Sequence, residues 1–444
     1  MIEICAVGGY TEIGKNMTAV KIDDHVIIID MGLHVDNYIS FTNDEDLIGI
    51  SPQQLRKAGV IPDDTVIEKW KDKVALITTT HAHLDHIGAI PFVAPRYHAP
   101  LLMTPFAAAV VRAIASDEEL KLSNPIEIIQ PNSSFSVTND IKVEFISMTH
   151  SIPETNMIAI HTKYGIIIYA LDFKLDDNPI IGKKPNYKRL EELGKTGNVL
   201  ALIVESLRAG EAIKTPSEGV AREMLRDVLL GTQSEGKLIV TTTFSSHLAR
   251  IKSIVEFGKK LNRKIIFLGR SLAKYTAAGE EVGIIKFSDE VKIIKYGNQV
   301  KKFLKKINKS NAGEYLLVVT GHQGEPKATL AKMVGEYNFK FAPEDIIIFS
   351  CNIIPSPINE ENRRKLETKL SAKGLRIFKD IHVSGHAARE DHRDLINLLQ
   401  PKNIIPAHGE QQMTSAYASL AKEKGYKLGK TLHMLSNGSF LQLK

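Results

Sequence analysis

The chain has 444 residues, 43% of them hydrophobic and 24% charged, which is the balance of an ordinary folded protein of two or three domains and excludes a disordered or collagen-like chain. Cys5 and Cys351 are its only cysteines and form no C-x-x-C pair, which excludes a disulfide framework and a thiolate metal cluster. The net charge of +6 is unevenly spread: residues 206–370 carry 28 Lys and Arg against 18 Asp and Glu, and the remainder carries 29 against 33. A basic block between faintly acidic flanks points to a polyanion partner.

Met1-Ile2-Glu3 runs directly into a strand-like segment with no basic n-region, and no apolar run approaches the roughly 18 residues of a membrane span. A cytoplasmic protein without a membrane segment is expected. Short β-branched runs follow at Val26 to Asp30, Val74 to Thr80, Ile141 to Ile146, Met157 to His161, Ile166 to Leu171 and Leu200 to Glu205. Among them a helix is expected over Pro105 to Leu120, with Thr104 as cap and proline at its first position.

From about 206 the pattern changes to strand and helix in turn, which indicates a parallel α/β sheet. Helices are expected from Ser217, from His247 and after Pro326, and strands at Leu238 to Thr243, Ile265 to Gly269, Tyr315 to Thr320 and Ile346 to Ser350. Lys301, Lys302, Lys305, Lys306 and Lys309 surround the apolar Phe303, Leu304 and Ile307, as on an amphipathic helix that either lines a polyanion path or is a plain solvated face. The closing stretch reads as a helix near Asn359 to Lys373, strand Ile381 to Ser384, helix Arg389 to Leu399, strand Ile404 to Pro406, a helix after Gly409 and a hairpin at Asn437-Gly438.

The sharpest chemical signal is His81-Ala82-His83-Leu84-Asp85-His86, directly after the apolar strand that begins at Val74. Imidazole and carboxylate groups packed this densely suit borderline cations such as zinc. One such cluster cannot saturate two ions, and further ligand-type residues end other apolar strands: His150, Asp172 and His408. Singly each is more simply a structural residue, but together with the cluster they form a candidate metal centre.

These residues, with Asp30 as a supporting aspartate, resemble the motif set of the metallo-β-lactamase fold. The segments Gly8-Gly-Tyr-Thr-Glu-Ile-Gly-Lys-Asn-Met17, Thr320-Gly-His-Gln-Gly-Glu-Pro326, Val383-Ser-Gly-His-Ala387 and Ile405-Pro-Ala-His-Gly-Glu410 resemble the β-CASP nucleases and, within them, the ribonuclease J family. The resemblance implies an α/β fold: a metallo-β-lactamase αββα sandwich formed by residues 1–205 and 371–444 and interrupted by a β-CASP domain at 206–370. The chain stops at Lys444 without the extra domain of bacterial relatives, which implies the shorter archaeal type. Ala82, Leu84 and His322 depart from the bacterial pattern without removing a ligand.

Carried over residue by residue, the resemblance implies two zinc ions, one on His81, His83 and His150, the other on Asp85, His86 and His408, with Asp172 bridging. It makes Asp85, His386 and Glu205 catalytic, with Glu205 orienting His386. Contacts to substrate phosphate are implied for Ser246 and His247 and for the loop Ser384, Gly385, His386 and Ala387, which stands ahead of a helix N-terminus whose amides suit an anion. Ser245 and Ser246 could instead be helix caps, and Arg250 a core ion-pair partner. A pocket holding a terminal 5′-phosphate implies removal of nucleotides from the 5′ end of single-stranded RNA, with internal cutting as an added activity, and relatives imply a homodimer. The main alternative is a purely endonucleolytic 3′-end processing factor of the cleavage-and-polyadenylation type. A small-molecule hydrolase would leave the basic insert without a purpose, and a non-catalytic scaffold would not need all seven ligands.

Overall fold

The computed structural model describes residues 1–42 and 49–443 and divides into two compact units: Met1–Asp177, Gly182–Thr215 and Gly385–Lys444 form the first, Asn178–Ile181 and Pro216–Ser384 the second. The first unit is the metallo-β-lactamase αββα sandwich. One sheet orders its strands Ser439–Leu443, Ile2–Gly8, Met17–Ile22, His25–Ile29, Val74–Thr78, Leu101–Met103 and Ile126–Ile128. The other runs Asn403–Ala407, Val199–Glu205, Gly165–Ala170, Asn156–Thr162, Lys142–Ser147 and Ser134–Ser136.

Alternation along the strands builds this sandwich. Ile158, Ile160, Ile167 and Tyr169 turn towards Ile4, Val20, Ile27 and Leu76 of the facing sheet. Their neighbours Met157, Ala159, Ile166 and Ile168 pack instead under helix residues Leu190, Leu193, Leu395, Ile396 and Tyr417. Strands buried on both faces are apolar throughout, as Val199–Glu205 is apart from its last residue.

The second unit is the inserted β-CASP domain. Its sheet runs Lys292–Ile294, Lys264–Leu268, Tyr315–Val319, Ile239–Thr242, Ile346–Phe349 and Arg376–Phe378, every pair parallel. Parallel strands need helical crossovers, which Leu248–Lys260, Arg270–Glu281, Gly297–Leu304 and Pro357–Ser371 supply.

The units divide later than positions 206 and 371. Residues 206–215 stay with the first because Thr215 is fixed to it: its hydroxyl donates to His386 O at 2.7 Å and its amide to Asp391 Oδ2 at 2.9 Å. Residues after 371 stay with the second because Arg376–Phe378 pairs with Ile346–Phe349.

Ile381 to Ser384 is not a strand. The Ile381 carbonyl is taken by Arg250 and by the Ser350 hydroxyl, at 3.0 and 2.8 Å. Asn437-Gly438 does not join a hairpin, since Ser439–Leu443 pairs with the amino-terminal strand Ile2–Gly8. The helix from Pro105 ends at Asp117, ahead of the left-handed Glu119 (φ 53°), and the lysine-rich helix spans Gly297–Leu304, leaving Lys305 to Lys309 beyond it.

Candidate metal centre and phosphate loop

Six site residues stand at the ends of strands of the first unit. Asp30 follows His25–Ile29, His81 follows Val74–Thr78, His150 follows Lys142–Ser147, Asp172 follows Gly165–Ala170, Glu205 closes Val199–Glu205 and His408 follows Asn403–Ala407. Asp30, Asp172 and His408 adopt left-handed backbone (φ 61°, 55° and 46°), a conformation costing of order 1 kcal/mol or more that persists only where the surroundings enforce it. His83 caps the short helix Leu84–Ile87, which carries Asp85 and His86. That helix lies so close to Gly32 that a Cβ there would fall 1.6 Å from Asp85 O, and Asn16 Nδ2 donates to the same oxygen at 3.0 Å.

The seven expected ligands converge in two groups that share Asp172. His83 Nδ1 lies 3.1 Å from both His81 Nε2 and His150 Nε2, and Asp172 Oδ2 is 3.5 and 3.6 Å from those two Nε2 atoms. In the second group Asp172 Oδ2 is 3.2 Å from His86 Nε2, Asp172 Oδ1 is 3.1 Å from His408 Nε2, and Asp85 Oδ2 stands 3.7 and 3.6 Å from the same imidazoles. Within each group the donor atoms lie within 4.8 Å of one another, which suits one cation per group.

Ring orientation supports the same fit. His86 Nδ1 donates to Asp30 Oδ2 at 2.8 Å, His150 Nδ1 donates to Gly385 O at 2.7 Å, and the Thr80 hydroxyl, 3.0 Å from His81 Nδ1, donates to Asp30. Each of these bonds turns Nε2 towards the cluster, as outer partners of metal-bound histidines do.

The electrostatics fit cation donors too. Burial, then the neighbouring imidazoles, pushes His83 well below the ordinary histidine pKa, and burial with His386 does the same for His150, so both rings are neutral donors. Burial would raise Asp172, but His408, His86 and His386 hold it well below the usual carboxylate range. Asp172 Oδ1 is buried and makes no hydrogen bond.

Beside the candidate ligands, His386 Nδ1 donates to Glu205 Oε2 at 2.8 Å, and Glu205 Oε1 accepts from Phe173 N at 2.9 Å. Burial alone would lower His386, but the carboxylates of Glu205 and Asp172 raise it to about 9. Four amides at the helix N-terminus behind this loop are already taken within the protein. Ala387 N bonds Glu205 at 3.5 Å, Ala388 N bonds Asp391 Oδ2, Arg389 N bonds Glu211 O and Glu390 N bonds Ile213 O. Gly385 fits tightly against His150 and Ser151, since a Cβ would lie 2.5 Å from Ser151 Oγ. Ser384, the first residue of the expected loop, belongs to the second unit.

In the second unit Ser246 and His247 follow strand Ile239–Thr242 and are both buried. Neither Ser245 nor Ser246 is a helix cap: the cap position of Leu248–Lys260 is His247, which makes no side-chain cap bond. Arg250 is the core ion-pair partner, bidentate to Glu218 at 2.6 and 2.9 Å and bonded to Ser350 O and Ile381 O. His247 Nε2 lies 3.5 Å from Glu218 Oε2.

The supporting residues Gly32, Thr80, Thr149 and Thr215 escape sequence reasoning, because none is a ligand type, and Asn16 enters it only as part of the Gly8 to Met17 segment, without a role. The position of Thr80 beside His81 could have pointed to it. Thr149 joins the loops of two expected ligands: its hydroxyl donates to Lys174 O at 2.7 Å and accepts from Asp176 N at 3.2 Å.

Residues 235–366 match the family described as "Ribonuclease J, beta-CASP domain", and residues 375–431 match "Zn-dependent metallo-hydrolase RNA specificity domain". The whole chain is 41% identical to a protein named ribonuclease J from Methanocaldococcus jannaschii, covering 99% of it, and 43% identical to one from Pyrococcus abyssi, covering 97%. A solved structure of a protein of unknown function from Enterococcus faecalis V583 shares the fold, with a TM-score of 0.65, 18% identity and 99% of both chains covered.

Proposed function

Because the chain belongs to the ribonuclease J family and is thereby a metal-dependent ribonuclease, we propose that it is a zinc enzyme that removes nucleotides from the 5′ end of single-stranded RNA, prefers a 5′-monophosphate and can also cut internally. The observation that carries this reading is the convergence of six buried or half-buried donor residues on a seventh, Asp172. His81, His83 and His150 would hold one ion, Asp85, His86 and His408 the other, with Asp172 common to both. Such a pair, when bound, supplies Lewis-acid charge and an acidified water for in-line attack at phosphorus.

The chain's own residues do the rest. Asp30, Thr80 and the Gly385 carbonyl fix the imidazoles so that no reorganisation is needed when substrate arrives. His386, held through Nδ1 by Glu205, is placed to give a proton to the leaving 3′-oxygen. Ser246, His247 and the Ser384 to Ala387 loop are the candidate contacts to substrate phosphate. Among the described residues no helix is long and apolar enough to cross a membrane, and the same reading makes the protein a cytoplasmic homodimer.

Digestion of single-stranded RNA labelled at its 5′ end, with metal analysis of the protein, tests this function. Immediate release of labelled mononucleotide and about two zinc ions per chain are expected. A ladder of labelled internal fragments with no early mononucleotide would establish the endonuclease instead.

A further inference from the structure

Seven lysines and no Asp or Glu lie between residues 292 and 309 of the second unit. Elsewhere in this unit many surface lysines are paired, such as Lys259 with Glu290, Lys260 with Glu256, Lys264 with Glu314, Lys286 with Asp289, Lys365 with Glu361 and Lys379 with Glu367, while the unpaired ones stand apart in sequence, as Lys252 and Lys369 do. Among the described residues, none of the seven makes an ion pair with a carboxylate. Their direction is fixed from below. Val300, Phe303, Leu304 and Ile307 are buried in the core of the unit, which leaves Lys301, Lys302, Lys305 and Lys306 on the solvent side.

At the head of this run stands Tyr296, an aromatic side chain 52% exposed. It follows the edge strand Lys292–Ile294 and occupies the cap position of Gly297–Leu304, at the carboxyl end of a parallel sheet, where open α/β sheets present ligand-binding loops. Lys295 Nζ lies 5.4 Å from the centre of its ring. A lone exposed tyrosine needs no explanation, but an exposed ring joined to an unneutralised cationic run is the pairing that reads a single strand: the cations take the phosphates, the ring takes the face of an unpaired base.

We propose that Tyr296, with Lys295 and the face of Lys301, Lys302, Lys305 and Lys306, is an accessory docking surface for single-stranded RNA. It deepens the reading above and rests on RNA being the substrate. Charge complementarity selects a polyanion, and the exposed ring selects a strand whose bases are unstacked over a duplex, an acidic protein or an anionic membrane.

The test measures binding of a 30-nucleotide 2′-O-methyl single strand as a function of salt, beside turnover of a 5′-phosphorylated tetranucleotide. Tyr296→Ala is expected to weaken binding of the long strand about tenfold, and Tyr296→Phe to restore it. Replacing Lys301, Lys302, Lys305 and Lys306 together by Gln is expected to flatten the log–log salt slope by about 0.7 for each lysine engaged. Tetranucleotide turnover should be unchanged in every variant. Wild-type affinity and slope in Tyr296→Ala and in the lysine variant would overturn the proposal, as would equal binding of a 30-base-pair duplex, or anionic vesicles bound more tightly than the strand. A wild-type protein that binds the strand through this surface but hydrolyses nothing would count against the nuclease reading alone.

Discussion

Replacing Asp30 by Asn tests whether the outer partners hold the metal centre, because Asn differs only in charge and in one donor. Asp30 sits in left-handed backbone at φ 61°, which Asn tolerates, so the chain need not move. Both carboxylate oxygens are engaged in a fully buried site: Oδ1 accepts from Thr80 N at 2.8 Å, and Oδ2 accepts from the Thr80 hydroxyl at 3.0 Å and from His86 Nδ1 at 2.8 Å. The side-chain amide of the Asp30→Asn variant can satisfy one side only. With its NH₂ turned to His86, the imidazole must accept there and carry its proton on Nε2, the nitrogen that faces Asp172. Loss of such an outer partner costs about 10- to 100-fold in metal affinity. With NH₂ turned to Thr80 instead, two donors meet and a buried backbone amide loses its acceptor, at about 1–3 kcal/mol of stability. Zinc competition against a chromogenic chelator reads the first cost and thermal unfolding of the metal-free protein the second. Wild-type values in both would refute the reasoning.

Asp85→Ala and His86→Ala should lower turnover by orders of magnitude and chelation should abolish it, as steady-state cleavage assays would show; unchanged turnover in either variant would sink the two-metal mechanism. His386→Ala should lose about 10²- to 10⁴-fold in cleavage of every substrate, whereas Ser246→Ala should blunt only the preference for 5′-monophosphorylated over triphosphorylated RNA. Away from the site, burial opposes the charge of Glu144, but His161 and Arg189 lower its pKa from 4.5 to about 2. Because the folded pKa is the depressed one, this stabilisation is complete above about pH 4.5 and is lost as the pH falls towards 2; urea midpoints of wild type and Glu144→Gln should therefore converge on acidification, and a constant gap would argue against the assignment.

The site was legible in the sequence to the extent that chemistry marked it. His81, His83, Asp85 and His86 stand together, and His150, Asp172 and His408 each end an apolar run. What escaped has no such mark. Helix Arg270–Glu281 starts after Gly269 (φ 137°) with no side-chain cap, so no cap residue announces it. Ile381 to Ser384 reads as a strand by composition, but a buried arginine 131 residues away captures its carbonyl. The loop ahead of Arg389–Leu399 reads as an open anion site, but Glu211 and Ile213, distant in sequence, already take its amides. Contacts of long range decide these cases, and periodicity sees only neighbours.

The order of the sheets makes the first unit depend on segments made last. Strand Val199–Glu205 gains its neighbour Asn403–Ala407, and with it His408, only after the whole second unit has been synthesised, and Ile2–Gly8 waits for Ser439–Leu443 at the other end of the chain. Without those two segments the second group of candidate ligands is one imidazole short and the amino-terminal strand has an unpaired edge. Both sheets of the first unit are thus closed by pairings of very long sequence separation, the kind of topology that slows folding.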